Sequence, residues 1–205
     1  MSDFYDNIAY VLGHTLYLNI TNRCPCACDF CIRTHSKSVG TGDNLWLERE
    51  PTQTEIMAAL AQHDLSQYRE LVFCGYGEPT CRLDDLLWVC NKVRGIRDIP
   101  IRVNTNGLSD LVFEKPTAQC LKGIVDTVSI SLNSSDAQKY VDITRNHFGL
   151  KSYQAMIDYA KDCQKYVPNV VMTVVDIIGE EEVAACRKVC DDNGLFLRVR
   201  PYEAN

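Results

Sequence analysis

Short runs of Val, Ile, Leu and Thr alternate along the chain with longer segments in which apolar residues recur with a helical period. Each short run is bounded by Gly, Pro, Asn or Asp, which is typical of β-strands. The pattern predicts six strands, over residues 15–20, 70–74, 99–105, 126–132, 169–177 and 196–200.

The segments between these strands predict helices. The first opens after Pro51 with a capping box formed by Thr52 and Glu55, and two later ones stop at Gly95 and Gly194. Since strands alternate with helices, the crossovers should be right-handed and the sheet parallel. The helices are predicted over residues 52–65, 83–94, 152–166 and 180–192, with a weaker segment over 110–122 that Pro116 would break.

Several predicted strands alternate between apolar and polar residues, whereas parallel strands covered on both faces are usually apolar throughout. In the fourth strand, Val128 and Ile130 oppose Ser129 and Ser131. An open barrel with polar side chains inside explains this alternation. We therefore predict the α/β class and a partial (β/α)6 TIM-like barrel, with a mainly parallel six-stranded sheet and helices outside. An antiparallel sheet with one solvent-facing side is the alternative, which the long connections disfavour.

The composition limits the class of protein. A chain of 205 residues, 46% hydrophobic and 23% charged, predicts a single domain over residues 1–205. With 21 basic and 27 acidic residues, the formal net charge is −6, which argues against general nucleic-acid binding. No apolar run approaches a membrane span, because Asp176 interrupts the longest candidate, residues 170–178. We therefore expect no membrane partner.

The chain holds 11 cysteines. An odd number, in a chain that opens without a signal-peptide pattern, is a poor fit to a secreted disulfide scaffold. We therefore predict a cytoplasmic protein with reduced thiols. Most of these cysteines are expected to pack as small buried hydrophobes, although Cys186 and Cys190 share a helix face and are consistent with auxiliary metal ligation.

Three cysteines differ from the others because they share one loop. Cys24, Cys28 and Cys31 follow the first predicted strand with the spacing C-x3-C-x2-C. Three thiolates on one loop suit a soft metal or an iron–sulfur cluster. Three ligands, rather than four, would leave one iron of a [4Fe–4S] cluster open to an exogenous ligand. A zinc site completed by Cys26 or His35 is the alternative, although this spacing is unusual for zinc.

Three further motifs lie at the ends of predicted strands. Residues 74–80, Cys-Gly-Tyr-Gly-Glu-Pro-Thr, follow the second strand, where glycines let a ligand approach the backbone. The fourth strand continues through Ser129 and Ser131 to Asn133, and residues 175–182, Val-Asp-Ile-Ile-Gly-Glu-Glu-Glu, follow the fifth. Taken singly, these motifs are also consistent with a tight turn, a solvated strand face and an acidic helix start.

Taken together, the cysteine loop and these motifs resemble the radical S-adenosylmethionine (SAM) superfamily. The chain is most similar to its short TatD-associated members, which also pair this cysteine spacing with Gly-Glu-Pro-Thr and a Leu-Trp-Leu-Glu segment, here residues 45–48. The resemblance implies that Cys24, Cys28 and Cys31 hold a [4Fe–4S] cluster whose fourth iron binds SAM. The reduced cluster would cleave SAM to a 5′-deoxyadenosyl radical, which abstracts hydrogen from the substrate.

The resemblance also assigns a SAM-binding residue set. Tyr76 departs from the family pattern, since many members have glycine there, and Val175 replaces the first glycine of the adenine motif. The implied contacts are Phe30 and Ile177 at the adenine, Gly75, Tyr76, Gly77 and Glu78 at the amino group, Ser129, Ser131 and Asn133 at the ribose, Arg145 at the carboxylate, and Asn104 lining the cavity.

The substrate is not identified by these motifs. Arg102, Arg198 and Arg200 fall on polar strand faces, where inward cations would favour a small anionic or nucleotide-derived substrate. Salt bridges at the rim are the alternative. We expect an oxygen-sensitive enzyme that uses a reductant such as flavodoxin or ferredoxin. A glycyl-radical activase acting on a partner protein, or a non-enzymatic zinc or iron–sulfur module, is the competing hypothesis.

Overall fold

The computed structural model describes residues 2–35, 39–42 and 44–201 of the chain. The side chain of His35, which was considered as a zinc ligand, lies outside the described part. The described residues form two compact units. The first comprises Met1–Cys24, Ile32–Asn104 and Ile124–Asp126, and the second comprises Pro25–Cys31, Thr105–Gly123 and Thr127–Asn205.

The first unit holds an antiparallel hairpin followed by parallel strands. Strand β1 pairs antiparallel with β2, and β2, β3 and β4 pair parallel in that order. The last residue of β4 belongs to the second unit. The elements are α1 (Ser2–Ile8), β1 (Ala9–Leu12), β2 (Thr15–Leu18), α2 (Ile32–His35), α3 (Gln53–Leu60), β3 (Glu70–Phe73), α4 (Leu83–Arg94) and β4 (Ile101–Thr105).

Strands β2–β4 have two different faces, in line with the alternation of apolar and polar residues in the sequence. Leu16, Leu71 and Ile101 are neighbours in the strand register, and each is fully buried. Tyr17 and Arg102 lie on the opposite face and are half-buried. Burial of the apolar face provides the main driving force for the folding of this unit, because hydrophobic stabilisation grows with the apolar area that is buried. Val72 lies between Tyr17 and Arg102 in the register and is fully buried, so this second face is partly covered as well.

The second unit repeats the alternation on three parallel strands. Strand β6 pairs with β5 on one side and with β7 on the other. Helices α7 and α8 bury an apolar stripe that includes Met156, Ala160 and Cys186. The elements are α5 (Ser109–Phe113), β5 (Thr127–Ser131), α6 (Ala137–Thr144), α7 (Lys151–Cys163), β6 (Asn169–Val175), α8 (Glu180–Asp192) and β7 (Phe196–Arg200).

The α/β class and the mainly parallel pairing are confirmed, but the prediction of six strands is wrong. The described residues form seven strands, and the additional one is β1. Gly13, with a φ of 60°, makes the tight turn that joins β1 to β2. This hairpin was not predicted, because its apolar flanks are only four residues long and its Gly-His turn is a weak signal.

The helix boundaries follow the local sequence signals. The side chains of Thr52 and Glu55 form the predicted capping box at the start of α3. No continuous helix crosses Pro116: α5 ends at Phe113, and a separate 3-10 turn covers Ala118–Leu121. Helix α6 was not predicted, and its N-terminus is capped by Asp136. No helix within the described ranges combines the length and apolar character needed to cross a bilayer.

Substitution of a buried β2 leucine tests the importance of this packing. Leu16 is fully buried, whereas Leu12 on β1 is 42% exposed. We expect Leu16→Ala to lower the free energy of unfolding by about 2–5 kcal/mol, because it leaves a cavity in the core. The matched control Leu12→Ala should change it much less. Urea denaturation measures both variants, and equal losses would contradict the described packing.

Candidate functional site

The first half of the cysteine loop is fixed by hydrogen bonds that follow β2. Asn19 is buried, and its Nδ2 donates to the carbonyls of Asn7 at 3.1 Å and Leu45 at 2.6 Å. Thr21 Oγ1 and Arg23 Nε both donate to Glu50 Oε1, at 2.5 and 2.7 Å. Residues 19–23, which lead to Cys24, are therefore held by hydrogen bonds to Asn7, Leu45 and Glu50.

The acidity of Glu50 reflects this arrangement. Partial burial raises the pKa of its carboxyl group, but the hydrogen bonds from Thr21 and Arg23 outweigh burial. The net effect is a pKa below the ordinary value of a glutamate. The carboxylate form therefore stays available as an acceptor for the loop as the pH falls.

The turn over residues 75–80 packs against the same backbone. A Cβ on Gly75 would overlap the side chain of Asn19, and a Cβ on Gly77 would overlap the carbonyl of Thr21 and lie 2.8 Å from that of Arg23. Glu78 N donates to the Arg23 carbonyl at 2.8 Å. Close approach to a side chain at Gly75 and to backbone at Gly77 therefore explains both glycines within the protein itself.

Glu78 and Tyr76, which were assigned to the SAM amino group, are both buried. Glu78 is 4% exposed, and its Oε1 accepts hydrogen bonds from Thr80 N at 3.1 Å and Thr80 Oγ1 at 2.7 Å. Tyr76 is 3% exposed, and it packs edge-on against Trp46 at 5.4 Å and within a cluster that includes Tyr10. Tyr76, at the motif position where many family members have glycine, is therefore part of an aromatic cluster.

The second half of the cysteine loop is fixed by the end of α6. The carbonyl of Thr144 accepts from Ala27 N at 2.9 Å, and that of Ile143 accepts from Asp29 N at 3.1 Å. Arg145, in a left-handed conformation with φ of 46°, forms an ion pair with Asp29. Arg145 was expected at the SAM carboxylate, and in the structure it holds the loop between two of the cysteines.

The loop cysteines differ in exposure. Cys24, Cys28 and Cys31 are half-buried thiols, whereas Cys26 is buried and accepts a hydrogen bond from Asn106 Nδ2 at 3.7 Å. Across the described residues, no group of three or more His, Cys, Asp or Glu side chains is arranged to hold a metal ion. The donor chemistry nevertheless fits an iron–sulfur cluster, because one loop carries three half-buried cysteine thiols that form no disulfide.

The loop after β5 carries the residues that were assigned to the ribose. Ser129 is buried, Ser131 is half-buried, and Asn133 has a left-handed φ of 64°. The sequence analysis gave no role to Glu182, whose Oε1 accepts from Ser135 N at 2.7 Å and from the hydroxyls of Ser134 and Ser135, both at 2.9 Å. The sequence signals were its place at the end of the 175–182 motif and in the acidic first turn of a helix.

These hydrogen bonds change the acidity of Glu182. The backbone hydrogen bond from Ser135 makes the largest contribution, and partial burial opposes it. The Ser134 and Ser135 hydroxyls and Lys139 add to the effect, and the pKa falls to about 2. Glu182 is therefore a fixed anion under ordinary conditions.

The remaining SAM-site assignments fall on residues of very different exposure. Phe30 is 46% exposed and Ile177 is 60% exposed, so each presents an uncovered apolar side chain. The Oδ1 atom of Asn104 is buried without a hydrogen-bond partner among the described residues. An orphaned buried acceptor is costly unless a donor satisfies it. The described residues therefore leave Phe30 and Ile177 largely uncovered and Asn104 Oδ1 without a donor.

The substrate candidates divide into two groups. Arg102 donates to both carboxylate oxygens of Glu70, from Nη2 at 2.8 Å and Nε at 3.1 Å, so it forms the predicted alternative, an ion pair. Arg198 and Arg200 are exposed on β7, next to Thr173 and Val175 in the strand register. Neither β7 arginine forms an ion pair within the described part of the chain.

Comparison with known proteins places the chain in a family. The family model described as the Radical SAM superfamily matches residues 18–188. The chain therefore belongs to the radical SAM superfamily. Proteins of this superfamily use a [4Fe–4S] cluster and SAM, the two cofactors expected from the sequence. The TatD-associated subgroup is not resolved by this match.

Curated relatives are longer than this chain. It is 26% identical over 194 residues to GTP 3′,8-cyclase of Corynebacterium glutamicum (strain R), which covers 91% of this chain and 48% of that protein. It is 28% identical over 148 residues to GTP 3′,8-cyclase of Staphylococcus aureus (strain Mu3), covering 71% and 41%. The chain thus spans about half the length of the curated relatives it matches, or less.

Two solved structures share the fold. Methylornithine synthase (PylB) superposes with a TM-score of 0.61 at 12% identity, covering 98% of this chain and 56% of that one. The structure of anSMEcpe with bound AdoMet superposes with a TM-score of 0.58 at 17% identity, covering 92% and 52%. At these identities the likeness concerns the fold.

The close approach at Gly77 gives a direct test of the loop arrangement. We expect Gly77→Ala to displace the backbone before Cys24, to lower the free energy of unfolding by about 1–3 kcal/mol, and to reduce the iron bound after anaerobic reconstitution. Gly95→Ala is the matched control, because a Cβ there makes only an ordinary contact at 3.4 Å. Wild-type iron content in Gly77→Ala would show that this contact does not shape the loop.

Proposed function

We propose that the chain is a radical SAM enzyme whose cluster is held by Cys24, Cys28 and Cys31. The observation that carries this proposal is the C-x3-C-x2-C loop, which lies within the matched family segment and follows β2. Support comes from the side chains of Thr21 and Arg23 before Cys24, which donate to Glu50, and from the backbone on either side of Cys28, which donates to the end of α6. A fixed loop presents thiols at little further conformational cost.

The chain's own residues would bind and orient SAM. Glu78 carries a buried carboxylate suited to an ammonium group, and Ser129, Ser131 and Asn133 offer hydroxyl and amide groups to a ribose. Phe30 and Ile177 supply exposed apolar side chains for the adenine, which would exclude water on binding. When bound, the reduced cluster and SAM together supply hydrogen-atom abstraction chemistry.

The proposal also covers the barrel, the family subgroup, the location and the reductant expected from the sequence. We infer a partial barrel made by one radical SAM core domain over residues 1–205, most like the TatD-associated members. Support comes from the two parallel strand sets, each with an apolar face and a polar face. We further infer a cytoplasmic location, where thiols stay reduced, and a flavodoxin or ferredoxin as the reductant.

A small anionic substrate is favoured over a protein substrate by the face of β5–β7. Arg198 and Arg200 lie two residues apart on β7, so both side chains emerge on the same face as Ser131 and Thr173. Arg102 is neutralised by Glu70, whereas the described residues leave both β7 arginines without an acidic partner. Guanidinium groups that have no acidic partner within the protein bind carboxylate or phosphate well.

Single cysteine substitutions test the cluster assignment. Cys24→Ala, Cys28→Ala and Cys31→Ala should each lose the cluster, because an open [4Fe–4S] centre has no ligand to spare. Cys26→Ala is the matched control from the same loop and should keep wild-type iron. Iron and sulfide content after anaerobic reconstitution, and 5′-deoxyadenosine formed with dithionite and SAM, measure the outcome.

Two results would contradict this assignment. One is iron loss in Cys26→Ala together with retention in a variant of the proposed three, which would mean a different ligand set. The other is a wild-type protein that favours the non-enzymatic module, either because it forms no 5′-deoxyadenosine with a complete cluster or because it binds zinc without iron.

Pyrophosphate binding tests the proposed anion site without knowledge of the substrate. Arg198→Ala and Arg200→Ala should each weaken pyrophosphate binding about tenfold, since each removes one charge-assisted contact. Arg187→Ala, at an exposed position on α8, should bind as the wild type does. Isothermal titration at low salt measures these affinities. Equal binding by all four proteins would show that the β7 arginines do not form an anion site.

A further inference from the structure

A cavity of about 580 Å³ opens where β6 and β7 begin. Small-molecule sites in proteins have volumes of roughly 300–1,000 Å³, with mainly apolar walls and a few polar groups. This cavity has the same character, because most of the described side chains around it are apolar and one is cationic. Its wall includes Val167, Pro168, Val170, Val171, Phe196 and Arg198.

The strand register sets the order of side chains beside this cavity. Val171 of β6 lies next to Phe196 of β7, and Thr173 lies next to Arg198. On the other side of β6, Thr173 pairs with Ser131 of β5. An apolar pair therefore lies at the start of the strands, and the next row on the same face runs from Ser131 to Arg198.

Phe196 is the largest apolar side chain in the cavity wall. It is 66% exposed, although Val171 beside it is only half-buried and offers an apolar neighbour. Side chains two residues apart in a strand point to the same side, so the Phe196 ring shares its face with Arg198 and Arg200. An exposed ring that borders an apolar cavity gains free energy when a ligand covers it.

Arg198 supplies the charged contact in the wall. Its side chain is exposed, and no acidic residue of the described part forms an ion pair with it. Thr173, the next residue in the same row, donates its hydroxyl hydrogen to the Ile130 carbonyl at 3.3 Å, so that hydrogen is already used within the sheet. A guanidinium group beside an apolar surface suits an anionic head group that carries an apolar body.

We propose that the substrate is an amphipathic anion, a carboxylate or phosphate monoester attached to an alkyl or aryl body. Arg198 and Arg200 bind its head group, and its apolar body covers Phe196 and Val171. The inference rests on the proposed function, in which the β7 arginines bind an anionic substrate, and it adds the chemistry of the remainder of that substrate.

The same rows give the orientation of this substrate. Neighbouring strands lie about 4.8 Å apart, so the backbones of Ser131 and Arg198 are separated by about 10 Å. The head group therefore lies in the row of the proposed ribose contact at Ser131. The apolar body extends from there along β7 toward Phe196 and the start of the strands, so the substrate carbons nearest the head group lie nearest the nucleoside.

Two phosphate monoesters with the same head group test the apolar contact. Each ester displaces pyrophosphate from the full, anaerobically reconstituted chain in a calorimetric competition. We expect n-hexyl phosphate to bind the wild type about tenfold more tightly than methyl phosphate, the factor expected when two of its methylene groups are buried. Hexylammonium, which has the same alkyl chain and a cationic head group, should displace no pyrophosphate.

Substitutions separate the two contacts. Phe196→Thr should remove most of the preference for hexyl phosphate and leave the affinity for methyl phosphate unchanged, because threonine suits a strand but covers little of an alkyl chain. Arg198→Gln should weaken both esters about tenfold, since it removes a charged hydrogen-bond donor. Leu150→Thr is the matched control: Leu150 is 58% exposed and lies outside the cavity wall, so this variant should bind both esters as the wild type does.

Three results overturn the amphipathic class. They are equal affinity of the wild type for the two esters, a preference for hexyl phosphate that Phe196→Thr retains, and displacement of pyrophosphate by hexylammonium. A wild type that binds none of the anions overturns this inference together with the proposed anion site. The radical chemistry is tested separately by cluster content and 5′-deoxyadenosine formation, so its failure is distinguishable from a failure of the ester comparison.

Discussion

The close packing of two backbone segments at the ends of β2 and β3 is the constraint on which the first half of the site depends. Gly77 lies against the carbonyls of Thr21 and Arg23, and Glu78 N donates to one of them. A side chain at Gly77 has no space, so the turn packs directly on the backbone of residues 21–23. The backbone that leads to Cys24 is thus placed by packing before any metal binds.

In the second unit, hydrogen bonds and charged side chains fix the segments that have proposed cofactor roles. There the end of α6 accepts hydrogen bonds from Ala27 and Asp29, and Arg145 adds an ion pair to Asp29. Glu182 fixes the start of the same helix through Ser134 and Ser135. Both ends of α6 are therefore tied to segments with proposed cofactor roles. Rigid support of this kind is what a site needs when its groups must be held to within a fraction of an ångström.

The sequence predicted the elements whose signals are local. The capping box at Thr52, the interruption at Pro116 and the alternation in β5 all depend on near neighbours, and the structure has each of them. The hairpin strand β1 was missed because four residues joined by a Gly-His turn carry a weak signal beside six longer runs. Helix α6 was missed although its N-terminus has a capping aspartate, Asp136.

The roles of Arg145, Arg102 and Glu182 depend on partners that are distant in sequence, and no local pattern reveals them. Arg145 lies far along the chain from Asp29, and Arg102 is separated from Glu70 by an entire helix. The resemblance suggested a ligand contact for Arg145, and its polar strand face suggested one for Arg102; the structure adds an acidic partner for each. Glu182 closes the 175–182 motif, but its three donors come from a different loop and could not be predicted.

The most direct test of the account is the low-temperature EPR spectrum of the reduced, reconstituted protein before and after addition of SAM. If Cys24, Cys28 and Cys31 leave one iron open, the spectrum should be that of a single reduced [4Fe–4S] cluster, and SAM should shift its g-values by binding to that iron. A cluster spectrum that saturating SAM leaves unchanged would contradict an open iron site, and with it the central claim that this loop forms a radical SAM centre.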